Sequence, residues 1–249
     1  MVFAEGPDKR LVEMQPDGKV VAVNSTDFTG FDWALNLTTD SAGNVYVIAF
    51  RKVFRYEGGV NTTKVEFLPQ AGNQSLDAIA WGGPNGGTFY AVRGGKLVKF
   101  ANPTATSAGT GVELTGALPI NGLAKGLAVT SDGTAYVYSS NACRLIRVTD
   151  AGDVTILIGS QTGSGVCPFA GNEPPPNELA QGAGLALRNG RLVVGESGAN
   201  AVREIDLSTT PPTLRVLAKG IAANDVAVAP DGSVWAVEDG NGKIFKLSF

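Results

Sequence analysis

The chain has 249 residues, of which 43% are hydrophobic and 17% are charged, and its formal net charge is −3 at pH 7. Such a chain can bury a substantial core, and its scattered charges argue against nucleic-acid binding, because a phosphate backbone requires a clustered basic surface. The chain contains no histidine, which excludes Ser-His-Asp triads, Cys-His pairs and histidine-ligated zinc.

A unit of short β-strands separated by polar turns recurs six times along the chain. The predicted units span residues 2–24, 44–69, 88–103, 134–159, 191–220 and 233–249. The second strand of each unit is expected to end at Glu5, Ala49, Arg93, Ser139, Glu196 and Glu238, at intervals of 44, 44, 46, 57 and 42 residues. A Gly/Pro-rich insertion at 160–181 accounts for the one long interval. Short strands repeating at this period predict an all-β protein, a β-propeller.

The turns between the strands have the residues that tight hairpins require. Asp-Gly or Asn-Gly occurs at Asp17-Gly18, Asp132-Gly133, Asn189-Gly190 and Asp231-Gly232. Glycine supplies the positive φ of such turns. We therefore name the four strands of each unit A, B, C and D, with A innermost in the blade.

The ends of the chain leave two alternatives for the number of blades within a single propeller domain, residues 1–249. The first unit contains strands B, C and D, whereas the last contains A, B and C. Six four-stranded blades with incomplete terminal blades are the favoured interpretation. In the alternative, Lys19–Val23 completes the last blade and the ring has five blades. Open blade edges also favour a homodimer.

Units such as GLAVTSDGTAYVYSSNACRLIRVTDAG and DVAVAPDGSVWAVEDGNGKIFKL resemble NHL repeats. The resemblance implies a six-bladed ring related to the gluconolactonase/regucalcin and strictosidine-synthase-like propellers. Gluconolactonase-like enzymes place a Glu, an Asn and an Asp on a metal ion at the start of strand A. Here only Asn224 matches, and Lys125 would repel a cation, so we predict no metal and no cofactor.

Two rings of positions should gather around the channel of such a propeller. The first ring, at the start of strand A, contains Leu35, Leu76, Lys125, Ala183 and Asn224. The second ring is the set of strand B ends given above. Glu5, Glu196 and Glu238 are expected side by side near Asp239, with Arg93 and Lys125 on the opposite arc. Three such carboxylates would raise one another's pKa and attract a ligand, or would instead cap the next turn.

Other residues have simpler interpretations. Basic residues on strand C, such as Arg55, Lys99, Arg147, Arg203 and Lys246, are expected to face solvent. Trp33, Phe50 and Phe169 are expected in the core near the same face, with an apolar wall for a ligand as the alternative. Trp81 and Trp235 are core candidates.

The two cysteines, Cys143 and Cys167, should lie in loops on one face of the fourth unit, where a disulfide would fasten the insertion, with two unrelated free thiols as the alternative. Sequons at Asn24, Asn36, Asn61 and Asn73 fit an extracellular or otherwise extracytoplasmic protein. No run of 18 apolar residues occurs, so we expect no membrane insertion.

Two hypotheses of function follow. In the first, an exported binding or sensor module recognises a small molecule, glycan or peptide through Glu5, Glu196, Glu238, Asp239, Asn224, Arg93 and Lys125. In the second, a histidine-free hydrolase or synthase-like enzyme uses the channel carboxylates as acid and base. The binding module is favoured, and no catalytic residue is assigned.

Overall fold

A computed structural model of the protein describes all residues except 1, 6–9, 16, 18, 25–33, 50, 61–63, 160–166, 168–173, 175–176, 183 and 239–242. The described residues form antiparallel sheets whose strands follow one another in chain order. The protein is an all-β propeller with four-stranded antiparallel blades, as the repeats predict. Among the described residues, no helix is long and apolar enough to cross a membrane.

The first of two compact units covers Met1–Gly116. Its first sheet consists of β1 (Val2–Glu5), β2 (Arg10–Met14) and β3 (Val20–Asn24). The second consists of β4 (Ala34–Thr39), β5 (Val45–Ala49), β6 (Lys52–Tyr56) and β7 (Lys64–Leu68). The third consists of β8 (Leu76–Gly82), β9 (Thr88–Arg93), β10 (Lys96–Phe100) and β11 (Val112–Glu113), with a 3-10 turn at Pro84–Gly86.

The second unit covers Ala117–Phe249. Its first sheet consists of β12 (Ala124–Val129), β13 (Ala135–Ser139), β14 (Arg144–Val148) and β15 (Val154–Ile158). The next consists of β16 (Leu185–Arg188), β17 (Arg191–Glu196), β18 (Ala201–Asp206) and β19 (Thr213–Lys219), with a 3-10 turn at Ser197–Ala199. The last consists of β20 (Ala223–Val228), β21 (Val234–Glu238) and β22 (Ile244–Leu247). The inner strand β16 contacts both β12 and β20.

The predicted ends of strand B are confirmed in all six sequence repeats. Strands β1, β5, β9, β13, β17 and β21 end at the residues that the repeat assigns to strand B. Four of the sheets have four strands, and the first and last have three among the described residues. The strand Val20–Asn24 pairs with β2. The number of blades in the ring, six or five, stays a prediction, as does a single domain of residues 1–249.

Asp-Gly turns join strands A and B through the same hydrogen bonds in two sheets of the second unit. The Asp132 carboxylate accepts the N–H of Thr134 at 3.0 Å, and the Asp231 carboxylate accepts the N–H of Ser233 at 2.9 Å. The intervening Gly133 and Gly232 have φ of 87° and 81°. That left-handed conformation favours glycine, so the turn sequence sets the register of each hairpin.

The core of the first unit is aromatic. Tyr46 lies 4.8 Å from Phe67 and 5.0 Å from Trp81, and Phe89 packs edge-on against Phe67. In the second unit, Trp235 is buried beneath the ammonium group of Lys246 on the neighbouring strand. Both tryptophans therefore lie where the sequence predicts, because large rings fill the space between adjacent sheets. Trp33, Phe50 and Phe169 lie outside the described residues.

Candidate functional site

Glu196, at the end of β17, is held by a buried arginine. Its side chain is 0% exposed, and its Oε1 accepts the N–H of Ala180 at 2.7 Å and a hydrogen bond from Arg203 Nη2 at 2.7 Å. Arg203 Nε bonds the second carboxylate oxygen. Burial raises the pKa of Glu196, and the Arg203 and Ala180 donors oppose that rise. The expected cause, repulsion between neighbouring carboxylates, is not the one that the structure shows.

The same arginine fastens the segment that leads into strand β16. Arg203 Nη2 also donates to the backbone carbonyl of Glu178, and the Tyr138 hydroxyl donates to the carbonyl of Ala180. The residues at 178–180 are therefore held from strands β13 and β18 at once. Glu196 and Arg203 form a structural clamp in this unit, and the Glu196 side chain makes no capping hydrogen bond to the turn at Ser197–Ala199 that follows it.

Arginines near the B–C hairpins repeat this arrangement in other sheets. Arg51 donates to the carbonyl of Asn73 at 3.1 Å, Arg93 to Pro69 at 3.1 Å and Arg144 to Pro119 at 3.0 Å. Each acceptor belongs to the connection that leads into a strand A. Arg93, predicted as a ligand contact, thus holds a loop, and burial lowers its pKa.

The expectation that strand C cations face solvent is wrong for two of them. Arg55 and Arg203 are buried. Arg203 pairs with the buried carboxylate of Glu196, whereas Arg55 lies 3.7 Å from the exposed carboxylate of Glu57. Lys246, by contrast, is exposed and lies over the Trp235 ring. A basic side chain on strand C can therefore be buried or exposed, because the repeat pattern does not specify the residues that pack against it.

The long insertion is anchored at its described residues. Cys167 forms a disulfide with Cys143, and its N–H donates to the carbonyl of Asn141 at 2.7 Å. At the far end, Gly198 donates to the carbonyl of Gln181 at 2.8 Å. The loop after β13 therefore holds the insertion at Cys167, and the loop after β17 holds it at Gln181. The disulfide joins the two loops in which the sequence analysis places the cysteines.

A β-bulge at the start of strand A defines the first ring, and it corrects one of its members. The strand pairing shifts between Leu76 and Ala78, between Ala124 and Gly126, and between Ala223 and Asp225. The extra residues are Asp77, Lys125 and Asn224. Leu76 was therefore predicted one position too early, because a bulge adds one residue that a strict alternation does not count.

Asp77 is the polar residue at this position that the prediction missed, but its side chain is not exposed to solvent. It is buried, and the Ser75 hydroxyl lies 3.4 Å from its Oδ2. Lys125 is half-buried, as is Glu238, whose N–H donates to the carbonyl of Lys243 at 2.9 Å. For Glu5 the structure gives the strand position alone, while Ala183 and Asp239 lie outside the described residues.

Asn224 and its neighbour Asp225 are both exposed at the start of β20. The Asp225 Oδ1 accepts the N–H of Val226 at 2.8 Å. Although solvent reaches this side chain, the surrounding protein replaces much of its hydration and raises the pKa of Asp225 to about 6. Sequence analysis did not single out Asp225, because its position follows the bulge.

Gly184 leaves the space that the Asp225 carboxylate occupies. A Cβ at this glycine would lie 2.2 Å from Asp225 Oδ1 and 2.3 Å from Val226 N. At the corresponding bulge in the first unit, Asn36 fills that place, and its Oδ1 accepts the N–H of Ile79 on the next inner strand at 3.1 Å. The backbone N–H at this strand position therefore donates to an asparagine of the preceding sheet in the first unit, and to the neighbouring Asp225 in the second. Gly184 permits the second arrangement because it has no side chain there.

Metal ligation has little support at these positions. Within the part of the chain that the structure describes, no three acidic or cysteine side chains form a group that could hold a metal ion. Asn224 and Asp225 offer hydrogen-bond donors and acceptors at the start of the inner strand β20.

Comparison with known proteins relates the chain to propellers of varied function. No protein-family model and no curated protein matches it. A catalytically inactive variant of virginiamycin B lyase from Staphylococcus aureus with quinupristin matches at 17% identity, over 99% of this chain and 82% of that one, with a TM-score of 0.62. A chain of the nidogen/laminin complex matches at 11% identity, over 98% of this chain and 87% of that one, with a TM-score of 0.69. A luciferin-regenerating enzyme matches at 13% identity, over 86% of this chain and 72% of that one, with a TM-score of 0.60. They share the fold. At these identities the likeness carries no activity.

Proposed function

We propose that this propeller is a binding module and that its ligand contacts Asn224 and Asp225 at the start of β20. The exposure of these two side chains supports the proposal most directly. Among the described residues, the Asp225 carboxylate makes one hydrogen bond, to the N–H of Val226. Its other oxygen and the Asn224 amide remain for a ligand with hydroxyl or ammonium groups, such as a sugar or an amine.

The state of the other polar groups favours binding over catalysis. Glu196, a candidate acid or base, is fully buried against Arg203, and a general acid must reach the substrate. Replacement of one histidine by alanine accompanies loss of catalysis in the virginiamycin B lyase variant, and this chain has no histidine. The proposal therefore does not extend the activity of that lyase to this protein.

The finer expectations also have support in the molecule. The Cys143–Cys167 disulfide fits an extracytoplasmic location, because disulfides persist in oxidising compartments. The described residues form four four-stranded and two three-stranded sheets, and both six blades with incomplete terminal blades and five blades remain as proposals.

A panel of monosaccharides, polyols and primary amines tests the proposal by equilibrium binding to the intact protein. Removal of both polar groups, Asn224→Ala with Asp225→Asn, should weaken the selected ligand at least tenfold. Asp231→Asn, which removes an exposed carboxylate from a turn, should leave affinity unchanged. Equal affinity of the double variant and the parent would overturn the assignment, and conversion of the bound compound, seen by mass spectrometry, would favour an enzyme.

A further inference from the structure

A buried carboxylate on the second sheet of the second unit gathers three arginines. Glu204, on β18, is 2% exposed. Its Oε2 accepts a hydrogen bond from Arg188 Nη1 at 3.0 Å, and its Oε1 accepts from Arg191 Nη1 at 2.9 Å and from Arg215 Nε at 2.9 Å. All three guanidinium groups are therefore fixed by one side chain.

The strand register explains why the arginines meet there. Arg188 lies directly opposite Arg191, and Arg215 lies directly opposite Glu204. Like charges in facing positions repel, and the Glu204 carboxylate between them compensates. Burial raises the pKa of Glu204, but the hydrogen bonds from Arg191, Arg188 and Arg215 outweigh it and leave that pKa lowered. Glu204 is thus ionised at neutral pH.

The group keeps a surplus of positive charge. Besides Glu204, the one further carboxylate joined to these arginines by an ion pair, among the described residues, is Asp206, 3.0 Å from Arg191. Three cations face two anions, in a protein whose net charge is −3. The arginines differ in access, since Arg188 also donates to the carbonyl of Gly232 at 2.9 Å and its side chain is 13% exposed.

Arg191 and Arg215 are the accessible members. Their side chains are 43% and 59% exposed. A guanidinium has five N–H groups, and Arg215 uses Nε and Nη2 on Glu204, which leaves the Nη1 donors. Because Glu204 already fixes both guanidiniums, little further side-chain entropy would be lost when an anion binds them.

We propose that Arg191 and Arg215 form a binding site for a sulfate or phosphate monoester. Two neighbouring guanidiniums match the oxygens of a tetrahedral anion through paired N–H donors. The site lies on sheet β16–β19, on different residues from those proposed for the ligand at Asn224, and it stands independently of that function.

The test measures binding of inorganic sulfate and inorganic phosphate to the intact protein by NMR or calorimetry, with chloride at equal ionic strength as reference. Galactose 6-sulfate and glucose 6-phosphate then distinguish the two sources of the anion. Arg215→Ala and Arg191→Ala should each weaken binding at least fivefold. Arg215→Lys keeps the charge next to Glu204 but loses the planar fork, and it should weaken binding two- to threefold.

The matched control is Lys219→Ala, which removes one positive charge from the same strand, β19. It should change affinity less than twofold. An equal loss in Lys219→Ala and Arg215→Ala would mean general electrostatic attraction and would overturn the site, as would absence of binding at tens of millimolar. Circular dichroism of each variant separates loss of the site from loss of the fold, and the lysine variant keeps the test valid if an alanine variant unfolds.

Discussion

Arg203 binds both carboxylate oxygens of Glu196 across the buried hairpin between β17 and β18. The pair also holds the backbone at Glu178 and Ala180, so it joins the connection before β16 to the sheet that follows. Glu196, which the sequence analysis placed among the ligand contacts, thus contributes to the fold, because its buried carboxylate is paired with Arg203 inside the protein.

Replacement of Arg203 by methionine should destabilise the protein by about 3–5 kcal/mol, because an unpaired carboxylate would remain buried. Glu196→Gln combined with Arg203→Met should cost less than the single arginine variant, since no buried charge is left. Urea unfolding followed by circular dichroism measures both. As a control, Lys52→Met breaks the half-exposed pair with Glu66, and it should cost about 0–1 kcal/mol. Similar losses in the buried and exposed pairs would contradict the clamp.

Loss of the disulfide should destabilise the second unit by about 3 kcal/mol, since the bridge closes a loop between residues 24 positions apart and limits the unfolded chain. The double variant Cys143→Ser, Cys167→Ser should therefore melt at a lower temperature than the parent. A reductant should lower the melting temperature of the parent towards that of the variant and leave the variant unchanged. A parent that melts at the same temperature with and without reductant would contradict this role.

Stability should fall as the pH rises from about 4 to about 6 because of Asp225. The surrounding protein removes part of its hydration and raises its pKa from 3.8 to about 6 in the folded state, so across that window the folded protein holds a proton that the unfolded chain has released. Asp225→Asn should remove this loss and become relatively more stable towards pH 7. Urea midpoints at pH 4, 5, 6 and 7 measure the difference.

Asp231 supplies the control with the opposite sign. Hydrogen bonds from Ser233 lower the pKa of Asp231, so its contribution is present above the unfolded pKa and is lost as the pH falls through the folded one. Asp231→Asn should therefore be less stable than the parent, and the difference in stability should be largest at neutral pH. Parallel pH profiles for the Asp225 and Asp231 variants would disprove both assignments.

Gly184→Ala should destabilise the protein by about 1–3 kcal/mol, because the new Cβ would overlap Asp225 Oδ1 and Val226 N. The backbone nitrogen cannot move away as a flexible side chain would. Gly116→Ala is the matched control, since nothing lies within 4 Å of a Cβ there. Chemical denaturation compares the two variants, and a neutral effect at Gly184 would show that the start of β20 shifts freely.

The sequence by itself determined the propeller and its hairpins. Repeated Asp-Gly turns fix the ends of strands A and B, and the period fixes the six strand B ends from Glu5 to Glu238, because turn geometry and strand length are local properties. The loops of Cys143 and Cys167 follow from the same register. Asp77 and Asp225 do not, since a bulge shifts the strand by one residue without a clear sequence signal.

Only the tertiary structure decided which charges are internal. Glu196 and Glu238 occupy equivalent positions in the repeat, yet Glu196 is fully buried against Arg203 and Glu238 is half-buried. Likewise, Arg203 and Lys246 both lie on strand C, and one is an ion-pair partner while the other covers a tryptophan. Burial and pairing depend on residues distant in the chain, so the repeat places a side chain but does not determine its partner.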